Sequence, residues 1–181
     1  MEELAVCTHC KSLKFSGKEE ARAYWNTYVA AGSNCTGSLH FLVNGQPITV
    51  NISEESFYHC CSEHSDKGNS KKRVFSLKRA EKMGKIRSMV SASSGNSSYK
   101  QKCGYISRLK ENSHRRVVIY DESDQFAVVI EFSVKSIKDL NEIQGKLITT
   151  FVADRKRTNY QILQSPEWSY ENCLRELGLS A

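Results

Sequence analysis

Residues 115–132 read RRVVIYDESDQFAVVIEF. Two apolar runs, VVIY and FAVVI, flank the polar turn segment DESD, which is the pattern of two antiparallel strands joined by a tight connection. Beyond a polar connection, SVKSIKDLNEIQG (133–145), the stretch KLITTFVAD (146–154) supplies a third strand, so the pattern predicts an antiparallel meander. Strand alternation puts Arg116, Val118 and Tyr120 on one face and Arg115, Val117 and Ile119 on the other. At most one arginine of the pair can then face a cleft, and Arg116 is favoured because Tyr120 on its face could stack on a base. The alternative for the pair is a strand-end salt bridge to Asp121, Glu122 or Asp124.

Upstream, GSLHFLVNGQPITVNIS (37–53) alternates at Leu39, Phe41 and Val43, turns at Asn44-Gly45 and resumes at Ile48, Val50 and Ile52. That is a β-hairpin signal. Ser53 followed by Glu54 and Glu55 opens a short helix carrying Tyr58 and His59. HSDKGNSKK (64–72) reads as a loop. Ser76 then caps a second helix, in which Leu77, Ala80, Met83, Ile86 and Val90 recur at spacings of three and four. SASSGNSSYKQKCG (91–104) reads as a long mobile loop.

Nearer the ends, VCTHCKSLKFSG (6–17) reads as a turn or knuckle and KEEARAYWNTYVAAG (18–32) as a helix whose aromatics pack on the sheet. YQILQSPEW (160–168) reads as a turn or short strand, with Trp168 closing the core, and SYENCLREL (169–177) as a final helix. The expected class is α+β: an N-terminal helix and β-hairpin, two central helices, an antiparallel β-meander and a C-terminal helix, with helices on one sheet face. Residues 1–35 are expected to form a cysteine-containing appendage with its helix, and 36–181 the main domain.

A chain of 181 residues with 25% charged and 39% hydrophobic residues has ordinary globular composition. No apolar run approaches the roughly 20 residues of a membrane span, and MEELAV lacks a basic leader, so a cytoplasmic protein with no membrane partner is expected. The net charge of +6 conceals an asymmetry: residues 67–116 carry a balance of +13, and the rest of the chain −7. Such a block attracts polyanions, RNA or another nucleic acid being the commonest, unless it is only a solvated basic face.

Seven cysteines without an export signal argue against a disulfide framework. Cys7 and Cys10 have the spacing of half a zinc knuckle, and Cys35 with His40 could complete a structural Cys3His site. Free thiols are the alternative. Cys60 and Cys61 are adjacent, so on a helix they diverge by about 100° and read as core thiols.

The order of several short pieces carries a further signal: NGQPITVNISEESFYHCC, VFSLKRAEKMGKI, RRVVIY, FAVVIEF, LITTF and SPEW. Together, over roughly residues 39–168, they resemble the phage-associated branch of the barnase/EndoU/colicin/RelE nuclease superfamily. The resemblance implies a small sheet packed against helices and metal-independent RNA cleavage by attack of the ribose 2′-OH on the adjacent phosphate. By position it puts the helix histidine at His59, the basic residue at Lys71 or Lys72, the strand arginine at Arg115 or Arg116, and the hydroxyl at Thr149. No catalytic cofactor is implied.

The residue types suit that chemistry. An imidazole exchanges protons near neutral pH, and guanidinium and ammonium groups stabilise charge growing on phosphorane oxygens. The expected catalytic set is His59, Lys72, Arg116 and Thr149, with Lys71, Arg73, Lys78, Arg79, Lys82, Lys85 and Arg115 binding the nucleic acid. His59 could instead be a helix residue bonded to a backbone carbonyl. The rival function is a noncatalytic phage or mobile-element inhibitor of a bacterial defence system that binds a nucleic acid or nucleoprotein complex. No Gly-rich phosphate loop occurs.

Overall fold

A computed structural model describes residues 13–31, 35–64, 73–92, 98–137 and 140–179. The expected knuckle, with Cys7 and Cys10, lies largely outside the described residues, as do Lys71 and Lys72.

The first hairpin forms as its pattern predicts, with β1 (Gly37–Val43) and β2 (Gln46–Ile52) paired from Gly37↔Ile52 to Val43↔Gln46. Asn44 and Gly45 both have positive φ, +49° and +78°, the left-handed pair that a two-residue hairpin turn needs. Its inward residues Leu39, Phe41, Val43, Ile48, Val50 and Ile52 are all buried. Helix α2 (Glu54–Cys60) follows at once, started by a capping box in which the Ser53 and Ser56 side chains each satisfy the other's backbone N–H.

The meander is longer than expected. After β6 (Glu111–Asp121), β7 (Phe126–Ile137) and β8 (Leu140–Val152) extend into SVKSIKDLNEIQG from either side and pair there from Ser133↔Gln144 to Ile137↔Leu140. The polar side chains there signalled a loop, but ladder hydrogen bonds need only backbone, and alternating Val134 and Ile143 are partly buried. The expected mobile loop is also corrected: Tyr99–Ile106 forms β5, antiparallel to β6, with a register shift between Cys103 and Gly104. Together they make a six-stranded sheet, β1-β2-β8-β7-β6-β5. β2 and β8 run parallel at Val50↔Gly145 and Asn51↔Lys146, which ties the hairpin to the meander. β3 (Ser62–His64) and β4 (Arg73–Phe75) form a separate two-stranded ribbon.

The uninterrupted apolar runs VVIY and FAVVI make sense because this sheet is covered on both sides, as in layered α/β architectures. On one side Val117, Ile119, Phe126, Val128, Ile130 and Phe132 join the main core. That core also takes Ala21, Trp25 and Val29 from α1 (Lys18–Tyr24) and its π-helical continuation Trp25–Val29. Trp25 is fully buried and meets Phe57 of α2 edge-on at 5.7 Å. Trp168 closes the same core, edge-on to Phe41 at 5.3 Å, while its Nε1 donates to the His114 carbonyl at 2.6 Å.

The expectation of helices on one face is corrected by α5 (Lys156–Gln164), which spans the segment read as a turn or strand. Its Ile162 packs with Val118, Tyr120, Ala127 and Val129 on the opposite side of the sheet. Tyr120 donates to Asn159 Oδ1 at 2.8 Å, anchoring the helix there. The helix ends at Gln164, two residues before Pro166, whose ring could not continue it.

The second central helix is also broken, into α3 (Leu77–Ala80), a 3-10 turn (Met83–Lys85) and α4 (Ile86–Ser91). Gly84 sits in the 3-10 turn, where its missing side chain removes helix propensity. Ala80, Met83, Ile86 and Val90 are nevertheless buried, as the spacing predicts, but Leu77 is 41% exposed and Met89, outside the expected set, is buried with them. Ser76 makes no side-chain cap; its hydroxyl donates to Glu63 Oε2 at 3.3 Å. The final helix, α6 (Tyr170–Glu176), is capped by Ser169, which accepts from the Asn172 N–H.

Candidate nucleic-acid site

His59 stands in the last turn of α2, where helix geometry leaves carbonyls without intrahelical partners. The Thr149-Thr150 pair of β8 supplies them. Thr149 Oγ1 donates to the His59 carbonyl at 2.7 Å, and Thr150 Oγ1 to the Cys60 carbonyl at 2.9 Å. A third group reinforces the joint: Arg79 Nη1 donates to the Ser62 carbonyl at 2.5 Å and the Thr150 carbonyl at 3.1 Å. Burial lowers the Arg79 pKa from its ordinary value, and this side chain is a structural clasp facing the protein interior.

The β3–β4 ribbon returns the chain to α2 and sets Arg73 against the His59 ring, Nη1 to Nδ1. A guanidinium can only donate, so Nδ1 accepts and the ring proton of the neutral imidazole resides on Nε2. The half-buried His59 is held below the usual histidine pKa by burial first, then by the positive charges of Arg73 and Lys146, against the opposing pull of Glu55. Glu55 lies one helical turn earlier on the same face of α2. Arg73, Glu55 and Lys146 are all exposed, so the cluster opens to solvent.

The other expected residues are dispersed. Arg116 is on the opposite sheet face, where its Nε donates to Glu131 Oε2 at 3.0 Å, Nη2 pairs with the same carboxylate, and Nη1 donates to the Tyr105 carbonyl at 2.8 Å. Gly104 makes room for it, since a Cβ there would stand 2.5 Å from Arg116 Cγ. Arg116 and Thr149 line one cleft, whose walls do not include His59. Arg115 points to the main-core side near Cys173, and its backbone N–H donates to Ser113 Oγ at 3.1 Å.

Nor do the central-helix cations form one uncompensated surface. Lys78 pairs with Asp154 at 2.5 Å and Lys82 with Asp124 at 3.8 Å, while Lys85 pairs with both Asp121, at 3.1 Å, and Asp124. The acids come from the β6–β7 turn and the end of β8, far away in sequence. A local charge count could not anticipate them.

For the expected zinc set, Cys35 is buried and its thiol donates to Asn26 Oδ1 at 2.6 Å, whereas His40 is exposed on the outward face of β1. Cys60 and Cys61 are buried beneath α2; burial raises both thiols, Cys61 to about 12. No group of three or more metal-ligating side chains occurs among the described residues. No helix among them is long and apolar enough to cross a membrane.

No family model, curated protein or solved structure matches this chain. Lys146 and Glu55 were missed as site residues. The i, i+4 spacing of Glu55 and His59 was visible in the sequence, but the approach of Lys146 depends on the parallel β2–β8 pairing, which no local pattern announces.

Proposed function

We propose that this protein binds RNA, and that the His59–Arg73–Lys146 cluster grips a backbone phosphate. The supporting observation is the contact between Arg73 Nη1 and His59 Nδ1. It leaves the Nε2–H of His59 as a fixed donor, beside two exposed cations whose charge a phosphate would complement. Lys71 and Lys72 directly precede Arg73 in the chain and extend the basic run.

The noncatalytic form of this reading fits the geometry best. Arg73 caps the nitrogen that a general base would use, the lowered pKa disfavours an imidazolium acid at neutral pH, and Arg116 is committed to Glu131. A binder of this kind suits the expected inhibitor of a bacterial defence nucleoprotein. One observation favours the ribonuclease instead: Glu55 and His59 stand one turn apart on one helix face, a carboxylate and an imidazole able to exchange protons with a 2′-OH and a leaving oxygen.

Labelled RNA incubated in chelator with the wild type, His59→Ala and Arg73→Ala separates the two. Salt-sensitive binding weakened by Arg73→Ala, with the RNA left intact, supports the binder. Cleavage to cyclic-phosphate ends, abolished by His59→Ala, supports the nuclease. Absence of both binding and cleavage overturns the RNA reading.

A further inference from the structure

A second site lies on the other side of the sheet. Between α5 and strands β5–β8 runs a cleft of about 720 Å³, within the size range of small-molecule sites. Val118, Val129, Ile148 and Phe151 are among its apolar lining residues. Two tyrosines also line it, Tyr105 from β5 and Tyr160 from α5, and at 55% and 65% exposure their rings are open to an incoming ligand. The side-chain amides of Asn112 and Gln161 bring donors and acceptors to the same walls.

Charge narrows the occupant. The two cations of the lining each have a carboxylate partner, Lys102 with Glu167 at 2.5 Å and Arg116 with Glu131, which also takes Arg108 at 2.9 Å. A cleft with paired charges gives little to an anion, while apolar surface, exposed rings and amides suit an uncharged flat heterocycle with hydrogen-bonding edges. From this we infer that the α5 cleft binds a nucleobase, by stacking on Tyr160 or Tyr105 and by edge contacts to Asn112 and Gln161. The base can belong to a free nucleoside or to an unpaired position of an RNA strand, the same chemistry in both cases.

This inference does not depend on the phosphate cluster of α2. Saturation-transfer NMR with adenosine, guanosine, cytidine and uridine tests it, alongside a short unstructured RNA, using the wild type, Tyr160→Ala, Tyr105→Ala and Arg73→Ala. Transfer to base protons is expected for a nucleoside or the RNA, with affinity falling about tenfold in at least one tyrosine variant. Nucleoside binding should be unchanged by Arg73→Ala. Binding of nucleosides identifies the free-ligand source, and binding of the RNA alone identifies the strand; either carries the inference. No base-proton transfer from any probe at millimolar concentration, or binding that both tyrosine variants retain in full, overturns it. Since both tyrosines are exposed, their variants should fold, which circular dichroism checks.

Discussion

Replacing Thr150 with valine would test how α2, and with it His59, is fastened to the sheet. Thr150 is 1% exposed, and its hydroxyl donates to the Cys60 carbonyl at 2.9 Å. Valine has nearly the same shape, so no cavity opens and the change isolates the hydrogen bond. Leaving a buried carbonyl without that donor costs about 1–3 kcal/mol. In a domain of this size each kcal/mol moves the melting temperature by about 2–4 °C, so a drop of roughly 4–8 °C is expected for a loss of about 2 kcal/mol. Urea denaturation should show a lower midpoint with an unchanged slope. Thr150→Ser, which keeps the hydroxyl, should retain most of the stability. Thr149→Val should cost less, because that side chain is only partly buried, and the two losses should not add, since adjacent carbonyls of one helix end are involved. A Thr150→Val protein as stable as the wild type would refute the account of this joint.

Two further outcomes follow from the same geometry. Gly145→Ala would put a Cβ 2.8 Å from Val50 Cγ2 and 3.0 Å from Ile130 Cγ2, crowding the β2–β8 junction and costing about 1–3 kcal/mol by urea unfolding. Stability should also fall with pH in two ranges. His59, with its folded pKa below its ordinary 6.5, makes the unfolded state the better proton binder just under that value, so stability declines as pH drops from about 6.5, and His59→Ala should flatten this limb. Asp121 and Glu176 give the second range. Burial opposes ionisation of both, yet hydrogen bonds from Ser123 and Lys85 to Asp121, and from Ser113 and the His114 and Arg115 N–H groups to Glu176, hold their pKa values below normal. Their contribution is complete above the unfolded carboxylate range and disappears as pH falls through the folded values, a loss that Asp121→Asn and Glu176→Gln should each reduce.

The fold was legible where side chains alternate or recur on one face. The Asn44-Gly45 hairpin, the FAVVI strand and the Ala80–Val90 core stripe all follow from local pattern. It was illegible where backbone pairing or distant burial decides the outcome: β5 within a Ser- and Lys-rich stretch, the polar ends of β7 and β8, and α5, whose anchor is Tyr120 on a strand some 40 residues away. The site divided along the same line. His59 and Arg73 meet, and Thr149 reaches the His59 backbone, but Arg116 finds Glu131 directly across the β6–β7 ladder. The sequence displayed the charges of the basic block; their partners became visible only once the chain was folded.

The most direct test of the central claim is the pKa of the His59 imidazole, followed by NMR in the free protein and after adding a single-stranded RNA with 2′-O-methyl groups that block cleavage. The account predicts a value below 6.5 in the free protein that climbs when the phosphate arrives, together with a higher starting value and a smaller climb in Arg73→Ala. A value at or above 6.5 that the RNA leaves unmoved would contradict it.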